Sequence, residues 1–240
     1  MNEKELKTIP KQRIVISLIA VVMLGSIIAS YAAIILNGGQ SNSASADGTI
    51  SEEKIIEYET AYSEKVAEFQ AATKSDFDKF YAYHTEIRAY NEAAANSGTV
   101  TTRDILEGNG RELTAGDTDY YAYYVGWCAD ESVFDSSFDN NDNPTAFSRI
   151  LDANLGLIEG WNTGVVGMKI NGIREVTIPG NLAYGETTEI CGGYNKPLKF
   201  LIMPKQKSED RVKMATELDT ALMRYQYALY GIDYDTQMTQ

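Results

Sequence analysis

The chain has 240 residues, which is enough for one domain with its own hydrophobic core and an accessory region. Its formal net charge of −13 argues against nucleic-acid binding, because contacts with phosphate backbones require clustered Lys and Arg side chains. Most of the chain is acidic, whereas residues 1–13 carry a small basic excess. Such an acidic surface is typical of a well-solvated protein that does not dock tightly onto anionic lipid.

An uncharged, apolar run of 23 residues follows the basic segment and spans residues 14–36. As a helix it would be about 34 Å long, enough to cross a hydrocarbon core of about 30 Å. A buried core helix fits poorly because the run is apolar on every face. A cleavable signal peptide is the stronger alternative, since Ala44-Ser45-Ala46 resembles a cleavage site, but signal peptides have apolar regions of only about 7–15 residues. We therefore expect an uncleaved transmembrane helix.

The basic residues predict the orientation of this helix. Four of them precede it, namely Lys4, Lys7, Lys11 and Arg13. The positive-inside rule places residues 1–13 in the cytoplasm and residues 37–240 outside the cell, as in a single-pass protein of the cell membrane. Residues 37–49 are rich in Gly, Ser and Asn, and we expect them to form a flexible linker.

Residues 50–97 follow as a predicted helical spacer. Ser51 is placed to cap a helix, and apolar residues then recur every three or four positions. A second capping pattern, Ser75 followed by Asp78, divides the segment into two predicted helices. These helices span residues 51–73 and 76–95. His84 falls on the apolar stripe, so we expect a partly buried, hydrogen-bonded core histidine there rather than a catalytic residue or a metal ligand.

The composition changes in residues 98–206, where short β-rich runs alternate with Gly, Asn and Asp turns. The predicted strands include residues 118–128, 172–178 and 198–203. One short helical segment, residues 156–166, lies between two of the strands. This pattern predicts an α+β fold that consists of an antiparallel β-sheet with a short helix on one face and helical extensions at both ends.

Residues 207–240 are predicted to form an amphipathic helix and a tail. The helix begins at Ser208 and ends at Gly231. Its apolar stripe consists of Val212, Ala215, Leu218, Leu222, Tyr225 and Leu229. The stripe must be buried, either against residues 51–95 to give a small helical subdomain beside the main domain, or against a second copy of the chain in a homodimer. The sequence alone does not separate these two arrangements.

The two cysteines, Cys128 and Cys191, both lie in the predicted exported portion. An oxidising compartment permits a disulfide between them. A single pair is weak evidence for a bond, however, and two separate buried thiols are the simpler expectation. A metal site is supported still less, because the only histidine in the chain lies far from both cysteines in sequence.

No familiar catalytic constellation is present, because the chain lacks a P-loop, an HExxH motif and a histidine placed for a triad. Four other motifs carry the functional signal. They are Tyr124-Val125-Gly126, Val133-Phe134-Asp135-Ser136-Ser137, the stretch Leu157-Ile158-Glu159-Gly160-Trp161 continuing to Met168, and Ile178-Pro179 followed by Leu182-Ala183-Tyr184-Gly185. Their order and spacing resemble the FKBP-type prolyl isomerases over residues 104–204.

This resemblance implies a peptidyl-prolyl cis-trans isomerase with an aromatic pocket and with no metal or cofactor. The implied catalytic residues are Tyr124, Asp135, Trp161 and Tyr184, and the implied substrate-binding residues are Phe134, Leu157, Ile158 and Phe200. By the resemblance, Trp161 forms the floor of the pocket, Ile158 offers its backbone N–H, and Tyr184 donates its hydroxyl to a substrate carbonyl. Asp135 holds Tyr124 in place by a hydrogen bond.

The implied partners are proline-containing proteins or peptides, and we expect the enzyme to assist the folding of exported proteins at the membrane surface. The alternative is a catalytically weak FKBP-like chaperone that grips such segments. Two features depart from the family pattern. Thr145 stands where the family has an aromatic residue, and the loop between Tyr184 and Phe200 has an unusual sequence in which Tyr194 is placed to supply an apolar contact.

Overall fold

The structure is a computed structural model that describes residues 50–238. The predicted cytoplasmic segment, the predicted transmembrane helix at 14–36 and the predicted linker lie outside the described residues. Within residues 50–238, none of the helices combines the length and the apolar character that crossing a membrane requires.

A six-stranded antiparallel sheet forms the centre of the described domain, with the strand order β1-β5-β6-β2-β3 and with β4 paired to β2. The strands are β1 (Thr101–Leu106), β2 (Tyr120–Trp127), β3 (Val133–Ser136), β4 (Leu151–Asp152), β5 (Ile173–Ile178) and β6 (Leu198–Gln206). The predicted antiparallel sheet is therefore confirmed. Its central pair, β2 with β6, runs in register for eight residue pairs, so β2 is held firmly on this side.

Helices flank the sheet. They are α1 (Glu52–Tyr81), α2 (Glu92–Ala95), α3 (Glu159–Gly164), α4 (Glu209–Leu229) and α5 (Tyr234–Met238). Both predicted N-caps are present, because the Ser51 hydroxyl accepts the N–H of Lys54 and the Ser208 hydroxyl accepts the N–H of Arg211, each at 3.3 Å. The short helix between the strands, α3, is confirmed but is shorter than residues 156–166.

Both faces of the sheet are buried, which explains why all eight residues of β2 are inaccessible. Successive side chains of a strand point to opposite faces. One face, here called the pocket face, packs against α3 and receives Tyr120, Ala122 and Tyr124. The other, here called the helix face, packs against α1 and α4. It receives Tyr121, Tyr123, Val125 and Trp127.

The long helices α1 and α4 lie against each other and cover the helix face. Tyr62 and Tyr225 stack with their ring centroids 6.1 Å apart, and Lys65 pairs with Glu217 at 2.6 Å. The predicted packing of α4 on the N-terminal helical segment is therefore confirmed within one chain. The prediction of a separate subdomain beside the main domain was wrong, because the helix face of the sheet is apolar and α1 supplies its cover with Phe69.

The predicted break near Ser75 is absent, because α1 runs without interruption from Glu52 to Tyr81. Lys74 and Asp78 form an ion pair at 2.5 Å one turn apart, which stabilises the helix across the predicted break. The Ser75 and Asp78 pattern therefore lies inside a continuous helix and does not begin a new one.

The chain leaves the helix after Tyr81, although the sequence predicts helix up to residue 95. A short 3-10 helix follows at His84–Glu86, and two long-range hydrogen bonds then hold Arg88 and Tyr90 in a non-helical path. Trp127 donates its indole N–H to the carbonyl of Arg88 at 3.0 Å, and Tyr90 donates its backbone N–H to the carbonyl of Ala129 at 3.1 Å. His84 therefore lies outside the core, exposed and stacked on Tyr81, so its predicted burial was wrong.

A disulfide joins Cys128, at the end of β2, to Cys191 in the loop between β5 and β6. The Cα atoms of the two residues are 5.5 Å apart although 63 positions separate them in sequence. The expectation of two separate thiols was wrong, because the antiparallel pairing of β2 with β6 brings this loop back beside the end of β2.

Candidate active site

Helix α3 places Trp161 against the pocket face at very short range. Gly160 and Gly164 allow this approach, since an added Cβ would lie 2.1 Å from the Ile178 side chain at the first position and 2.3 Å from the Val176 side chain at the second. Any larger residue at either position would push α3 away from β5. The two glycines therefore fix the depth of Trp161, which is 2% exposed.

Three other aromatic rings form an edge-to-face cluster with this tryptophan. The ring centroids of Trp161 and Phe200 are 5.3 Å apart at 75°, and those of Tyr124 and Trp161 are 5.6 Å apart at 83°. Phe134 meets Phe200 at 5.6 Å and 88°. Gly126 makes room for this pair, because an added Cβ would lie 2.7 Å from each ring. The sequence-predicted aromatic residues of the site are thus brought together.

The buried polar atoms below the rings are satisfied. Trp161 donates its indole N–H to the hydroxyl of Tyr120 at 3.1 Å. Burial raises the pKa of Tyr120 to about 12, so its hydroxyl stays neutral at physiological pH. The floor of the site is therefore a fixed apolar surface that carries no charge.

The side chains of Asp135 and Arg149 hold the Tyr124 side chain in place. The Tyr124 hydroxyl donates to the Asp135 carboxylate at 2.5 Å, and Arg149 donates to the other oxygen of the same carboxylate. Arg149 also donates through Nε to the carbonyl of Ser136 at 2.7 Å, and its guanidinium lies 5.8 Å from the centroid of the Tyr124 ring. Burial raises the pKa of Tyr124 to about 12, and the charge of Arg149 opposes this rise.

Two hydrogen-bond donors at the site have no partner within residues 50–238. The hydroxyl of Tyr184, which packs partly buried against the pocket-face core, donates to no protein acceptor there. Burial raises the pKa of Tyr184, so this hydroxyl keeps its proton at neutral pH. The backbone N–H of Ile158, just before α3, is likewise free of a protein acceptor in the described chain, and Leu157 packs beside it.

Comparison with known proteins identifies this arrangement. Residues 110–205 match the family model described as FKBP-type peptidyl-prolyl cis-trans isomerase. An FK506-binding protein of Neisseria meningitidis serogroup A is 35% identical over 106 residues, which cover 44% of this chain and 90% of that protein. The chain belongs to the FKBP-type peptidyl-prolyl cis-trans isomerase family. The predicted family and its isomerase class are thereby confirmed.

Other FKBP-type proteins are similar to a comparable share of the chain. An FK506-binding protein of Streptomyces anulatus is 42% identical over 85 residues, which cover 35% of this chain and 64% of that protein. The crystal structure of AtFKBP13 is 29% identical with a TM-score of 0.36, covering 45% of this chain and 93% of that one. The elements outside the bounds of the family match are α1, α2, β1, α4 and α5.

Two residues of this FKBP-type site carry no sequence signal of their own. Arg149 lies between two motifs, and only its pairing with Asp135 reveals its position. Ile190 packs against the pocket-face core from the loop after Tyr184. Tyr194, which the sequence suggested for that apolar contact, is instead 54% exposed.

Thr145 is fixed by its own turn. Its hydroxyl donates to the Asp139 carboxylate at 2.6 Å, and its backbone N–H donates to the same carboxylate at 2.9 Å. The residue is exposed.

Within residues 50–238, no group of three or more His, Cys, Asp or Glu side chains is arranged to hold a metal ion.

Proposed function

We propose that this chain accelerates the rotation of X-Pro peptide bonds without covalent chemistry, on the pocket face of the sheet. Resonance gives the peptide C–N bond a rotation barrier of about 18–20 kcal/mol. The cis and trans forms of an X-Pro bond differ by only about 1 kcal/mol, so a catalyst needs to lower the barrier alone. The twisted transition state has lost resonance and is less polar at the carbonyl than the ground state. An apolar aromatic site therefore binds it preferentially.

The free Tyr184 hydroxyl beside the aromatic floor is the observation that carries this proposal. We assign to Tyr184 the donation of a hydrogen bond to a substrate carbonyl, and to the N–H of Ile158 a second such contact. Trp161, Phe134, Leu157 and Phe200 enclose the proline ring, while Asp135 and Arg149 orient Tyr124. Each contact needs to contribute only a small transition-state binding free energy, because about 1.4 kcal/mol gives a tenfold increase in rate.

We further propose that the substrates are proline-containing segments of exported proteins, handled at the membrane surface. The disulfide between Cys128 and Cys191 supports this proposal, because structural disulfides persist in oxidising compartments outside the cytosol. The apolar run at 14–36 and the basic residues before it support a membrane anchor with the enzyme domain outside the cell.

The test is an exchange measurement on a short X-Pro peptide with the whole 240-residue chain. We expect Tyr184→Phe to lower kcat/KM about tenfold, the value of one hydrogen bond of roughly 1–1.5 kcal/mol. Tyr194→Phe removes a hydroxyl from an exposed tyrosine of the same loop and is the matched control, with kcat/KM unchanged. If the wild-type chain binds the peptide without accelerating its exchange, the enzyme proposal fails and the chaperone alternative is supported.

A further inference from the structure

Two segments outside the aromatic floor bear on the orientation of Tyr184. Residues 179–197, here called the pocket loop, join β5 to β6 and carry this tyrosine. Residues 88–97, here called the brace, include α2 and lie N-terminal to the part of the chain that matches the family model. The brace therefore lies outside the matched part of the chain, and it contacts that part from the N-terminal side.

The brace is fastened to the end of the sheet. Its first residue, Arg88, accepts the indole N–H of Trp127, and Tyr90 donates its N–H to Ala129. Between them, Ala89 donates its N–H to the carboxylate of Glu131 at 3.0 Å. These bonds fix the brace relative to β2, so it is a rigid support for whatever it contacts next.

The far part of the brace holds the pocket loop. Tyr90 donates its hydroxyl to the carbonyl of Pro197 at 2.9 Å. The Asn96 side chain accepts the backbone N–H of Gly180 at 2.7 Å and donates to the carbonyl of Asn195 at 3.2 Å. One carboxamide thus joins the outgoing and the returning arms of the loop.

The two arms touch where Asn96 joins them. An added Cβ on Gly180 would lie 2.0 Å from the carbonyl oxygen of Asn195, so no side chain fits between the arms. Asn195 donates its N–H to the carbonyl of Gly185 at 2.7 Å, and Gly185 donates its own to the carbonyl of Gly180 at 2.9 Å. Tyr184 therefore sits in a short turn, and Asn96 bonds to the residues at which that turn is closed.

We propose that Asn96 is a positioning residue of the isomerase, which holds the pocket loop so that the Tyr184 hydroxyl meets the substrate carbonyl. The inference rests on the proposed function of Tyr184. Without the Asn96 side chain, the N–H of Gly180, a buried residue, loses its acceptor and the outgoing arm shifts to find another. A shift of well under 1 Å is enough to weaken a contact made in the transition state.

The test compares substitutions in the whole chain on the X-Pro peptide. Asn96→Ala should lower kcat/KM by about three- to tenfold, with kcat falling as much as kcat/KM, as expected when a transition-state contact is lost. Asn96 is exposed, so its removal leaves the hydrophobic core intact, and the unfolding midpoint should fall only as far as the loss of its hydrogen bonds to the pocket loop requires. The value of kcat/KM is therefore compared per folded molecule. Asn96→Asp keeps the acceptor for Gly180 and should recover part of the loss.

The control and the double variant separate positioning from general stability. Asn91 accepts the N–H of Ala94 at 2.8 Å and caps the same short helix without bonding to the pocket loop. Asn91→Ala should therefore leave kcat/KM within about twofold, as expected for an exposed cap. In a Tyr184→Phe background, Asn96→Ala should cost less than about twofold, because residues that act through one contact are not additive.

Three results would overturn the inference. The first is an unchanged kcat/KM in Asn96→Ala together with a lowered value in Tyr184→Phe, which removes the role of Asn96 and leaves the proposed function standing. The second is a full multiplication of the two losses in the double variant, which shows that Asn96 does not act through Tyr184. The third is a Tyr184→Phe variant as active as wild type, which removes the role of Tyr184 on which the inference rests and leaves isomerase activity standing. A wild-type chain without isomerase activity would remove the proposed function as well.

Discussion

The pocket face and the helix face of the sheet are both lined with aromatic rings, but they differ in what lies beside those rings. On the helix face stacked and edge-to-face pairs both occur, since Tyr123 and Phe147 stack at 3.9 Å and 3° whereas Phe77 meets Phe147 at 5.4 Å and 86°. On the pocket face Trp161 and Phe200 meet nearly perpendicularly, and a tyrosine–carboxylate–arginine network lies beside them. Neighbouring residues of β2 serve the two faces, as Tyr123 and Tyr124 do.

The difference shows how one sheet can separate stability from chemistry. The helix face is closed by α1 and α4, which lie outside the family match, so its rings contribute mainly packing energy. The pocket face keeps the hydroxyl of Tyr184 and the N–H of Ile158 free of protein acceptors within residues 50–238. Substitutions on the helix face should therefore change stability, and those on the pocket face should change catalysis.

The largest expected effect is on the helix face. Phe69 of α1 is fully buried there, so Phe69→Ala should lower the free energy of unfolding by about 3–5 kcal/mol. Urea unfolding measures this loss, and kcat/KM per folded molecule should stay at the wild-type value. Ile56→Ala removes a 45%-exposed side chain from the same helix and should change stability by less than about 1 kcal/mol. An equal loss of unfolding free energy in the two variants would show that burial of the helix face by α1 does not stabilise the fold.

The next effect concerns the disulfide, which connects the end of β2 to the pocket loop. Opening it should lower the free energy of unfolding by about 2–4 kcal/mol, because the bond restricts a long stretch of the unfolded chain. The measurement is urea unfolding with and without a thiol reductant. A Cys128→Ala, Cys191→Ala chain should already show the lower stability and should not respond to the reductant. A reductant response in that variant would contradict the assignment.

Alkaline pH should act through the pocket-face tyrosines. Burial raises the pKa of Tyr120 and Tyr124 to about 12 in the folded state, above the ordinary value near 10. The folded state therefore holds these protons more tightly, and the resulting stability is complete below pH 10 and lost as the pH rises toward 12. Each tyrosine should contribute a fall of about 2 kcal/mol over that range. Between pH 9 and pH 12, the free energy of unfolding should fall less in Tyr124→Phe than in wild type. An equal fall in the two proteins would contradict the raised pKa of Tyr124.

The smallest effect in free energy should be the most specific for catalysis. Asp135→Asn removes the charge that pairs with Arg149 and weakens the bond from Tyr124, so kcat/KM should fall about tenfold, or 1.4 kcal/mol. The free energy of unfolding should change by no more than about that amount. Asp139→Asn alters a carboxylate that holds the Thr145 turn and is the matched control, with catalysis unchanged. A tenfold loss in the control would mean that this turn belongs to the site.

The elements that could be predicted from the sequence depend on local signals. Ser51 and Ser208 begin helices because capping is decided within one turn. The aromatic strand β2 was evident from its composition, and the motifs around Asp135, Trp161 and Tyr184 indicated residues that the fold brings to one face. Motif spacing was informative here because Gly160, within one of the motifs, stands where α3 approaches β5 too closely for a side chain.

The features that the sequence did not predict are held by long-range contacts. The path of Arg88 and Tyr90 depends on Trp127 and Ala129, which are about forty positions away, and a helical pattern continues through them. Arg149 has a role only because the fold places it above Asp135. The disulfide likewise depends on how the pocket loop returns beside β2. The distance between Cys128 and Cys191 in space cannot be predicted from their separation in sequence.

The central claim is that the pocket face catalyses X-Pro rotation and that the helix face supports it. The direct measurement is exchange NMR of an X-Pro peptide with a catalytic amount of the whole chain, for wild type and for Asp135→Asn. Spontaneous interconversion takes tens to hundreds of seconds at 25 °C. Wild type should shorten this time in proportion to its concentration, and Asp135→Asn should do so about tenfold less. Peptide binding with exchange at the spontaneous rate would contradict the account.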